Sequence, residues 1–259
     1  MKLSQTEIKK IKSLATKKGR AEERQFSAEG IRLLDEALRL RQFPDIIYYS
    51  PHLLSERAIK LVEKIKSKKI SAKEISPRQM TLISENKTSQ GILALFSIPF
   101  ENDNKLSLGN SRKILWCENI SDPGNLGSLL RSALAFGFNP VVLSGSTADH
   151  FSPKVVRSSA GAVFGLKIVK NETDNILEMI EKEKVFLVAS DVSGDIDINV
   201  KNINDRKYIL AVGSEASGLS FDLLKKADLR LRIRHSSKIE SLNAAVAGSI
   251  IMSKLSSND

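Results

Sequence analysis

The sequence has little of what marks secreted or membrane-spanning proteins. Its single cysteine, Cys117, cannot form an internal disulfide, and the apolar run around it predicts a buried strand residue. No apolar run reaches about 18 residues, so we expect no transmembrane helix and no membrane partner. The first ten residues, MKLSQTEIKK, lack the apolar stretch of a secretory signal. Together these absences predict a reducing, cytoplasmic setting.

Several common catalytic and metal-binding signatures are also missing. The histidines, His52, His150 and His235, are too scattered to suggest a zinc site, and no CxxC pair occurs, so we expect no metal. The GxSxG turn of many hydrolases is absent, and so is the GxGxxG fingerprint of dinucleotide binding. An NAD-dependent oxidoreductase is therefore the weakest functional hypothesis.

Positive charge is in excess, and most of the excess lies in the first 100 residues. The net charge is +10; residues 1–100 carry 20 Lys and Arg against 11 Asp and Glu, whereas the rest carries 20 against 19. An excess confined to one segment favours a polyanionic partner such as nucleic acid. A solvated surface accounts for the same charges equally well. A membrane surface fits less well, because no helix combines a basic face with an aromatic or leucine face.

The pattern of apolar residues divides the chain into two regions. Residues 1–100 predict a small α/β domain that begins with a capping box at Ser4–Glu7. Its helices are predicted over 4–19, 28–40, 55–68 and 77–83, and its strands over 45–49 and 91–97. The polar stretch 99–112 has no apolar periodicity, and we place a linker at 101–112.

Residues 113–259 show a regular alternation of apolar strands and helical segments. The strands are predicted over 113–117, 141–144, 185–190 and 208–213, and the helices over 125–136, 153–163, 174–182, 221–227 and 241–255. Such alternation is typical of a parallel sheet covered by helices on both faces. The sequence therefore predicts a second α/β domain over 113–259.

Two polar segments in this second region follow strands and are candidates for chemistry. The first contains the tight turn Asp122–Asn125 and then a helix that carries Arg131. The second is an apolar strand that ends at Gly213, with Glu215 in the loop beyond it. Ligands of open α/β sheets bind beyond the carboxyl ends of strands, and Gly213 would let a cofactor approach the backbone. On position alone, Arg131 is more simply a surface residue, and Glu215 is equally well an N-terminal helix residue.

A third segment, 229–250, begins as a strand with alternating arginines and continues through a polar loop into a helix of small residues. Ser241 is a good N-cap for that helix, which is its simplest explanation. Asn243 is harder to explain structurally, because asparagine is only a modest helix former.

Taken together, the three segments resemble motifs 1, 2 and 3 of the SpoU/TrmH family of RNA 2′-O-ribose methyltransferases, part of the SPOUT superfamily. The resemblance covers Lys113 to Leu255. It implies a parallel α/β domain with a C-terminal trefoil knot, which periodicity alone does not reveal, and a homodimer with its active site at or near the interface. Residues 1–100 resemble more loosely the L30e-like substrate-binding domain of ribosomal-RNA members, through Phe26–Gly30 and Gln90–Ala94.

The resemblance also implies roles for particular residues, with S-adenosylmethionine as the cofactor and no metal. The positions that match catalytic residues of the family are Asn125, Arg131, Glu215, Ser241 and Asn243. The positions that match cofactor contacts, made largely through backbone groups, are Gly213, Ile233 and Leu242. The chain departs from the family in one place, where Ile233-Arg234-His235 replaces the common Ile-Pro-Met.

The family's reaction places a ribose 2′-oxygen in line with the sulfonium methyl, so positioning is a large part of catalysis. Arg131 is either the base or a group that binds the adjacent phosphate and stabilises alkoxide charge. A free guanidinium is effectively always charged, so the second role fits Arg131 at least as well as the first. Glu215 would hold Arg131 or the loop. We expect ribosomal RNA as the substrate. Transfer RNA, a resistance-type ribosomal site and a non-catalytic RNA-binding protein are the alternatives.

Overall fold

The computed structural model describes residues 3–99, 111–195, 203 and 206–256. Its helices are α1 (Gln5–Ser13), α2 (Lys17–Glu23), α3 (Ile31–Arg39), α4 (Glu56–Ser67), α5 (Pro77–Ile83), α6 (Pro123–Ala135), α7 (Pro153–Ser158), α8 (Thr173–Glu183), α9 (Phe221–Lys226) and α10 (Ala244–Ser256). Its strands are β1 (Gln25–Glu29), β2 (Ile46–Tyr49), β3 (Ser71–Glu74), β4 (Ile92–Ser97), β5 (Lys113–Glu118), β6 (Val141–Ser144), β7 (Ile168–Lys170), β8 (Phe186–Asp195), β9 (Tyr208–Val212) and β10 (Leu229–Leu231).

The chain divides into two compact units. The first contains Met1–Phe100 together with Phe151–Gly165, and the second contains Glu101–His150 and Leu166–Asp259. The segment 151–165 belongs to the first unit because its aromatic rings pack there: the ring of Phe151 lies 4.5 Å from that of Phe26 between centroids. Most of the linker predicted at 101–112 lies outside the described residues.

The first unit is built on a four-stranded mixed sheet with the order β1-β4-β2-β3. Strand β4 is antiparallel to both of its neighbours, and β2 is parallel to β3. The capping box predicted at Ser4–Glu7 is confirmed: the Glu7 N–H donates to the Ser4 hydroxyl at 3.1 Å, and the Ser4 N–H donates to the Glu7 carboxylate at 2.9 Å.

Three helix predictions in this unit were wrong at their boundaries, and one of them, the helix predicted over 153–163, ends at Ser158. Instead of one helix over 4–19, α1 ends at Ser13 and α2 begins after Thr16, whose hydroxyl caps the Gly19 N–H at 3.0 Å. Gly19 does not end a helix; it lets α2 approach the end of α1, since a Cβ there would lie 2.0 Å from the Ser13 carbonyl oxygen. The helix predicted from residue 28 begins only at Ile31, because Gln25–Glu29 pairs with β4 as β1.

The second unit is built on a six-stranded sheet with the order β10-β8-β9-β5-β6-β7, and every pairing in it is parallel. Helices cover both faces, as predicted. Side chains of α8 and α9 pack on the face that carries Ile114 and Trp116. On the opposite face α10 packs on α6 and on β9, where the close approach of Gly248 to Leu129 and Val212 leaves no room for a Cβ. The trefoil knot stays a prediction of the family resemblance.

Cys117 lies within this sheet with its side chain fully buried, as predicted. Burial raises the pKa of its thiol, because a thiolate there would lack solvent. No helix in the described part of the chain is long and apolar enough to cross a membrane.

Candidate active site

The three polar segments meet at one edge of the six-stranded sheet, because parallel strands end on the same side. Strand β5 leads to Asp122, whose carboxylate accepts the Asn125 N–H at 2.9 Å and caps α6. Strands β9 and β10 end at this edge before the second and third segments.

Side chains from all three segments form one hydrogen-bonded group. The Asn125 amide donates to the Glu215 carboxylate at 3.1 Å, and the Asn243 amide donates to the Asn125 side-chain oxygen at 2.9 Å. The Asn243 amide also donates to the Glu215 carboxylate, which accepts the Ala244 N–H at 3.2 Å as well. We call Asn125, Glu215 and Asn243 the polar triad. Residues 118 positions apart in sequence thus hold one another in place.

Asn243 also begins the last helix, which corrects the expectation that Ser241 would cap it. Helix α10 starts at Ala244, and the Asn243 side-chain oxygen accepts the N–H groups of Ala245 at 3.0 Å and Val246 at 3.2 Å. The structural reason for asparagine at this position is therefore a cap. Ser241 is exposed two residues earlier and lines the cavity described below.

Glu215 lies in a loop and not in the first turn of a helix, since α9 begins only at Phe221. A tight turn holds this loop closed: the Gly218 N–H donates to the Ser214 carbonyl oxygen at 2.9 Å. Glu215 was expected to hold either Arg131 or the loop. Among the described residues its carboxylate bonds to Asn125, Asn243 and Ala244 of the other two segments and forms no hydrogen bond with Arg131.

Arg131 lies on α6, exposed to solvent and not part of the polar triad. Its guanidinium makes no hydrogen bond or ion pair with the residues that the structure describes. The side chains of the polar triad bond to one another, whereas the unpaired Arg131 guanidinium is free to bind an anion from outside the protein.

A cavity of about 420 Å³ adjoins the polar triad, and the three predicted cofactor positions, Gly213, Ile233 and Leu242, all line it. Glu215 and Ser241 line it too. The reason given for Gly213 needs correcting. A Cβ on Gly213 would lie 2.3 Å from the Gly218 carbonyl carbon, so the glycine makes room for the chain's own backbone.

Charged residues that the sequence reasoning missed also line the cavity. Asp191, near the middle of β8, accepts a hydrogen bond from the Arg230 guanidinium, with 2.7 Å between Arg230 Nε and the carboxylate. Because Asp191 is paired with Arg230, the charge of the cavity wall is set by the carboxylates of Glu215 and Glu240 and the guanidinium of Arg232. The alternating arginines Arg230, Arg232 and Arg234 were the available signal, since the exposed Arg230 has a carboxylate of the neighbouring strand as its partner.

A cavity and a set of polar side chains at the carboxyl edge of a parallel sheet are typical of ligand-binding enzymes of the α/β class. A model of the SpoU rRNA Methylase family matches residues 112–253, and a model of the MRM3-like substrate binding domain matches residues 5–94. The chain belongs to the SpoU rRNA methylase family, and it is an RNA methyltransferase.

Similar proteins cover both units. The 23S rRNA guanosine 2′-O-methyltransferase RlmP of Bacillus subtilis is 31% identical over 95% of this chain and 94% of its own length. The mitochondrial rRNA methyltransferase 3A of Danio rerio is 28% identical over 95% of this chain and 67% of its own. Among solved structures, an AdoMet-bound rRNA methyltransferase from Sinorhizobium meliloti superposes with a TM-score of 0.81 at 26% identity, over 98% of this chain and 97% of that one.

Proposed function

We propose that this protein transfers a methyl group from S-adenosylmethionine to a ribose 2′-hydroxyl of ribosomal RNA. The observation that carries the proposal is the polar triad, which joins the three motif segments beside the cavity lined by Gly213, Ile233 and Leu242. The relatives named as 23S rRNA 2′-O-methyltransferases and the AdoMet-bound structure support the same reaction and cofactor.

The cavity has the size and charge that S-adenosylmethionine requires. Its volume of about 420 Å³ lies in the range of small-molecule sites. Glu215 and Glu240 suit a ligand with a sulfonium and an ammonium group, and Arg232 suits its one carboxylate. These three charges sum to −1, so the wall suits a ligand of net positive charge better than the diphosphate of a dinucleotide, which argues against an NAD enzyme independently of the missing glycine fingerprint.

S-adenosylmethionine supplies an electrophilic methyl group when bound. The residues of the chain would bind and orient: Gly213, Ile233 and Leu242 hold the cofactor, and Ser241 at the cavity wall orients the nucleotide. The polar triad fixes the segments that carry these residues, so that cofactor and ribose meet in one geometry.

Arg131 would act on the RNA and not on the cofactor. It does not line the cavity, and its guanidinium has no partner in the described part of the chain. We infer that it binds the phosphate next to the target ribose and stabilises negative charge as the 2′-oxygen becomes nucleophilic. In this assignment solvent or the RNA itself receives the proton.

Residues 1–100 would bind the RNA as an L30e-like domain, joined by the linker 101–112 to the methyltransferase domain 113–259. Their charge excess supports this division. We further propose a cytoplasmic homodimer and the family's knot. The apolar side chain of Val246 on α10 is exposed and could be covered by a partner subunit, and light scattering after gel filtration tests for the dimer.

The decisive experiment incubates the full-length protein with methyl-labelled S-adenosylmethionine and ribosomal RNA from cells that lack the gene. We expect labelled ribosomal RNA with one new 2′-O-methyl site that resists alkaline cleavage. Transfer RNA from the same cells is the matched substrate control, and labelling of it alone would move the substrate to transfer RNA. RNA binding without any transfer would show a non-catalytic RNA-binding protein instead.

A further inference from the structure

Glu118 is a buried carboxylate in the second unit to which the motif analysis assigned nothing. It is the last residue of β5, at the carboxyl edge of the sheet, and its side chain is 1% exposed. A buried carboxylate is costly unless it is paired or hydrogen-bonded. No cation in the described ranges pairs with Glu118, so hydrogen bonds alone must stabilise it.

Three hydrogen bonds reach this carboxylate from two directions. The Ser220 N–H donates to Oε2 at 2.7 Å, and the Ser220 hydroxyl donates to Oε1 at 3.0 Å. The Thr173 hydroxyl, from the first residue of α8, donates to Oε1 at 3.1 Å. Ser220 stands at the N-cap of α9, but its hydroxyl accepts no backbone N–H of that helix; its side-chain hydrogen bond is the one it donates to Glu118.

The hydrogen bonds from Ser220 to Glu118 fix one end of the loop that lines the cavity. Residues 213–219 all line the cavity, and Ser220 follows them directly. The other end leaves β9 at Val212, which pairs with Cys117, the neighbour of Glu118. The loop therefore starts beside β5 and returns to the end of β5, and its middle carries Glu215 of the polar triad.

We propose that Glu118 is a positioning residue for S-adenosylmethionine, acting through Ser220 on the loop 213–219. Glu118 does not line the cavity and would not touch the cofactor. Its bonds to Ser220 hold the loop in the shape that the cofactor requires. Its bond to Thr173 only ties β5 to α8. The inference rests on the proposed function, since it presupposes that this cavity takes S-adenosylmethionine.

Two substitutions distinguish a role in positioning the loop from a general contribution to stability. Each removes one hydroxyl that donates to Oε1 of Glu118. Ser220→Ala removes the donor on the loop side, and Thr173→Val removes the donor on the α8 side while keeping the side-chain shape. We expect Ser220→Ala to weaken S-adenosylmethionine binding about fivefold, as measured by calorimetry. Thr173→Val should leave the dissociation constant within about twofold, although both variants lose some thermal stability.

Glu118 itself is tested by a second pair of variants. Glu118→Ala removes all the bonds to Ser220, so cofactor affinity should fall about tenfold or more, with KM raised and kcat at saturating cofactor nearly unchanged. Glu118→Gln should restore most of the affinity, because its amide oxygen can accept the Ser220 N–H while both hydroxyls turn to accept from its amide group. Circular dichroism establishes that each variant is folded before binding is measured.

The outcomes keep this inference apart from the proposed function. If the wild-type protein does not bind S-adenosylmethionine or S-adenosylhomocysteine, the proposed function fails and the inference fails with it. If the wild type binds and Ser220→Ala binds as tightly as Thr173→Val, the proposed function stands and the positioning role is wrong. Because the Ser220 and Thr173 variants each remove only one hydroxyl, they decide the matter even where Glu118→Ala does not fold.

Discussion

At the scale of single residues, the polar side chains that match the family's motifs are of two kinds. Asn125, Glu215 and Asn243 use their hydrogen-bonding groups on one another and on the backbone of α10. Arg131 is exposed, and its guanidinium has no partner among the described residues. Groups that bond within the protein fix geometry, whereas a group without a partner is available to substrate. The two kinds should therefore respond differently to substitution.

Arg131→Ala should lower the methylation rate by about 100-fold or more, of the order seen when a positioned charge-stabilising group is lost. Affinity for S-adenosylmethionine should change little, because Arg131 does not line the cavity. Single-turnover methylation and calorimetry measure the two quantities separately. Arg131→Lys distinguishes two versions of the role: a pure charge effect predicts partial rescue by lysine, and a two-pronged phosphate contact predicts almost none.

Arg112→Ala is the matched control for this substitution. Arg112 is also an exposed arginine of the second unit, but it precedes β5 and so lies at the opposite edge of the sheet from the site. Its removal should leave the rate within about twofold of wild type, as for an ordinary surface position. If the two alanine variants were equally active, Arg131 would be a solvated helix residue with no part in catalysis.

At the scale of helices and strands, side chains at helix N-termini determine where several elements begin. Asp122, Asn243 and Ser4 each satisfy free backbone N–H groups. At α1 the carboxylate of Glu7, the second residue of the capping box, also accepts a hydrogen bond from the Lys73 ammonium of β3 at 2.7 Å. The Lys73 bond, followed by the Ser4 N–H, lowers the pKa of Glu7 to about 2.

This shift predicts how stability depends on pH. The unfolded Glu7 should have a pKa of about 4.3, so its folded pKa is the lower one. Its contribution to stability is present above the unfolded pKa and is lost as pH falls toward 2. Glu7→Gln keeps the capping oxygen but loses the ion pair. We expect its melting temperature to lie below that of wild type at pH 6 and to converge with it near pH 2.

Glu63→Gln serves as the control, because Glu63 is exposed on α4 with no ion pair in the described ranges. Its melting curve should follow that of the wild type from pH 6 to pH 2. A constant offset between Glu7→Gln and wild type over the whole range would mean that the Lys73 contact does not contribute to stability.

At the scale of the whole molecule, charge is distributed unequally, and the first 100 residues carry most of the excess. Deleting them is a poor test of RNA binding. The rings of Phe151 and Phe164 pack on Phe26 and Phe96, so the deletion would also expose a segment that comes later in the chain. Point substitutions in the full-length protein avoid this difficulty.

Two pairs of lysines with the same charge offer such a comparison. Lys68 and Lys69 directly follow α4 in the first unit, and Lys182 and Lys184 lie on either side of the last residue of α8 in the second. All four are exposed, and Lys69 and Lys184 have left-handed φ values of 60° and 51°, so their backbone cost is matched. Replacing Lys68 and Lys69 by alanine should weaken RNA binding and lower the slope of log affinity against log salt by about 1.5.

Replacing Lys182 and Lys184 by alanine should leave that slope nearly unchanged. Filter binding at several salt concentrations measures both variants against the wild type. Equal losses from the two pairs would indicate that RNA contacts the units without preference, and the assignment of RNA affinity to residues 1–100 would be wrong.

The sequence alone determined the features that depend on local pattern. The alternation after residue 112 predicted the parallel sheet with helices on both faces, because such strands are uniformly apolar. The capping box at Ser4–Glu7 and the burial of Cys117 were likewise local matters and were confirmed. The family motifs supplied Gly213, Ile233 and Leu242, which do line one cavity.

Only the tertiary structure decided what depends on partners distant in sequence. The short strands β3 and β7 form by pairing with neighbours. The helix predicted over 28–40 took in the last two residues of β1, because the pairing of β1 with β4 cannot be seen locally. Gly213 makes room for the backbone of Gly218. Asn243 bonds across 118 positions to Asn125, and Glu118 across 102 to Ser220. Residue type gives the capacity to form such bonds, but only folding brings donor and acceptor within the roughly 3 Å that a hydrogen bond requires.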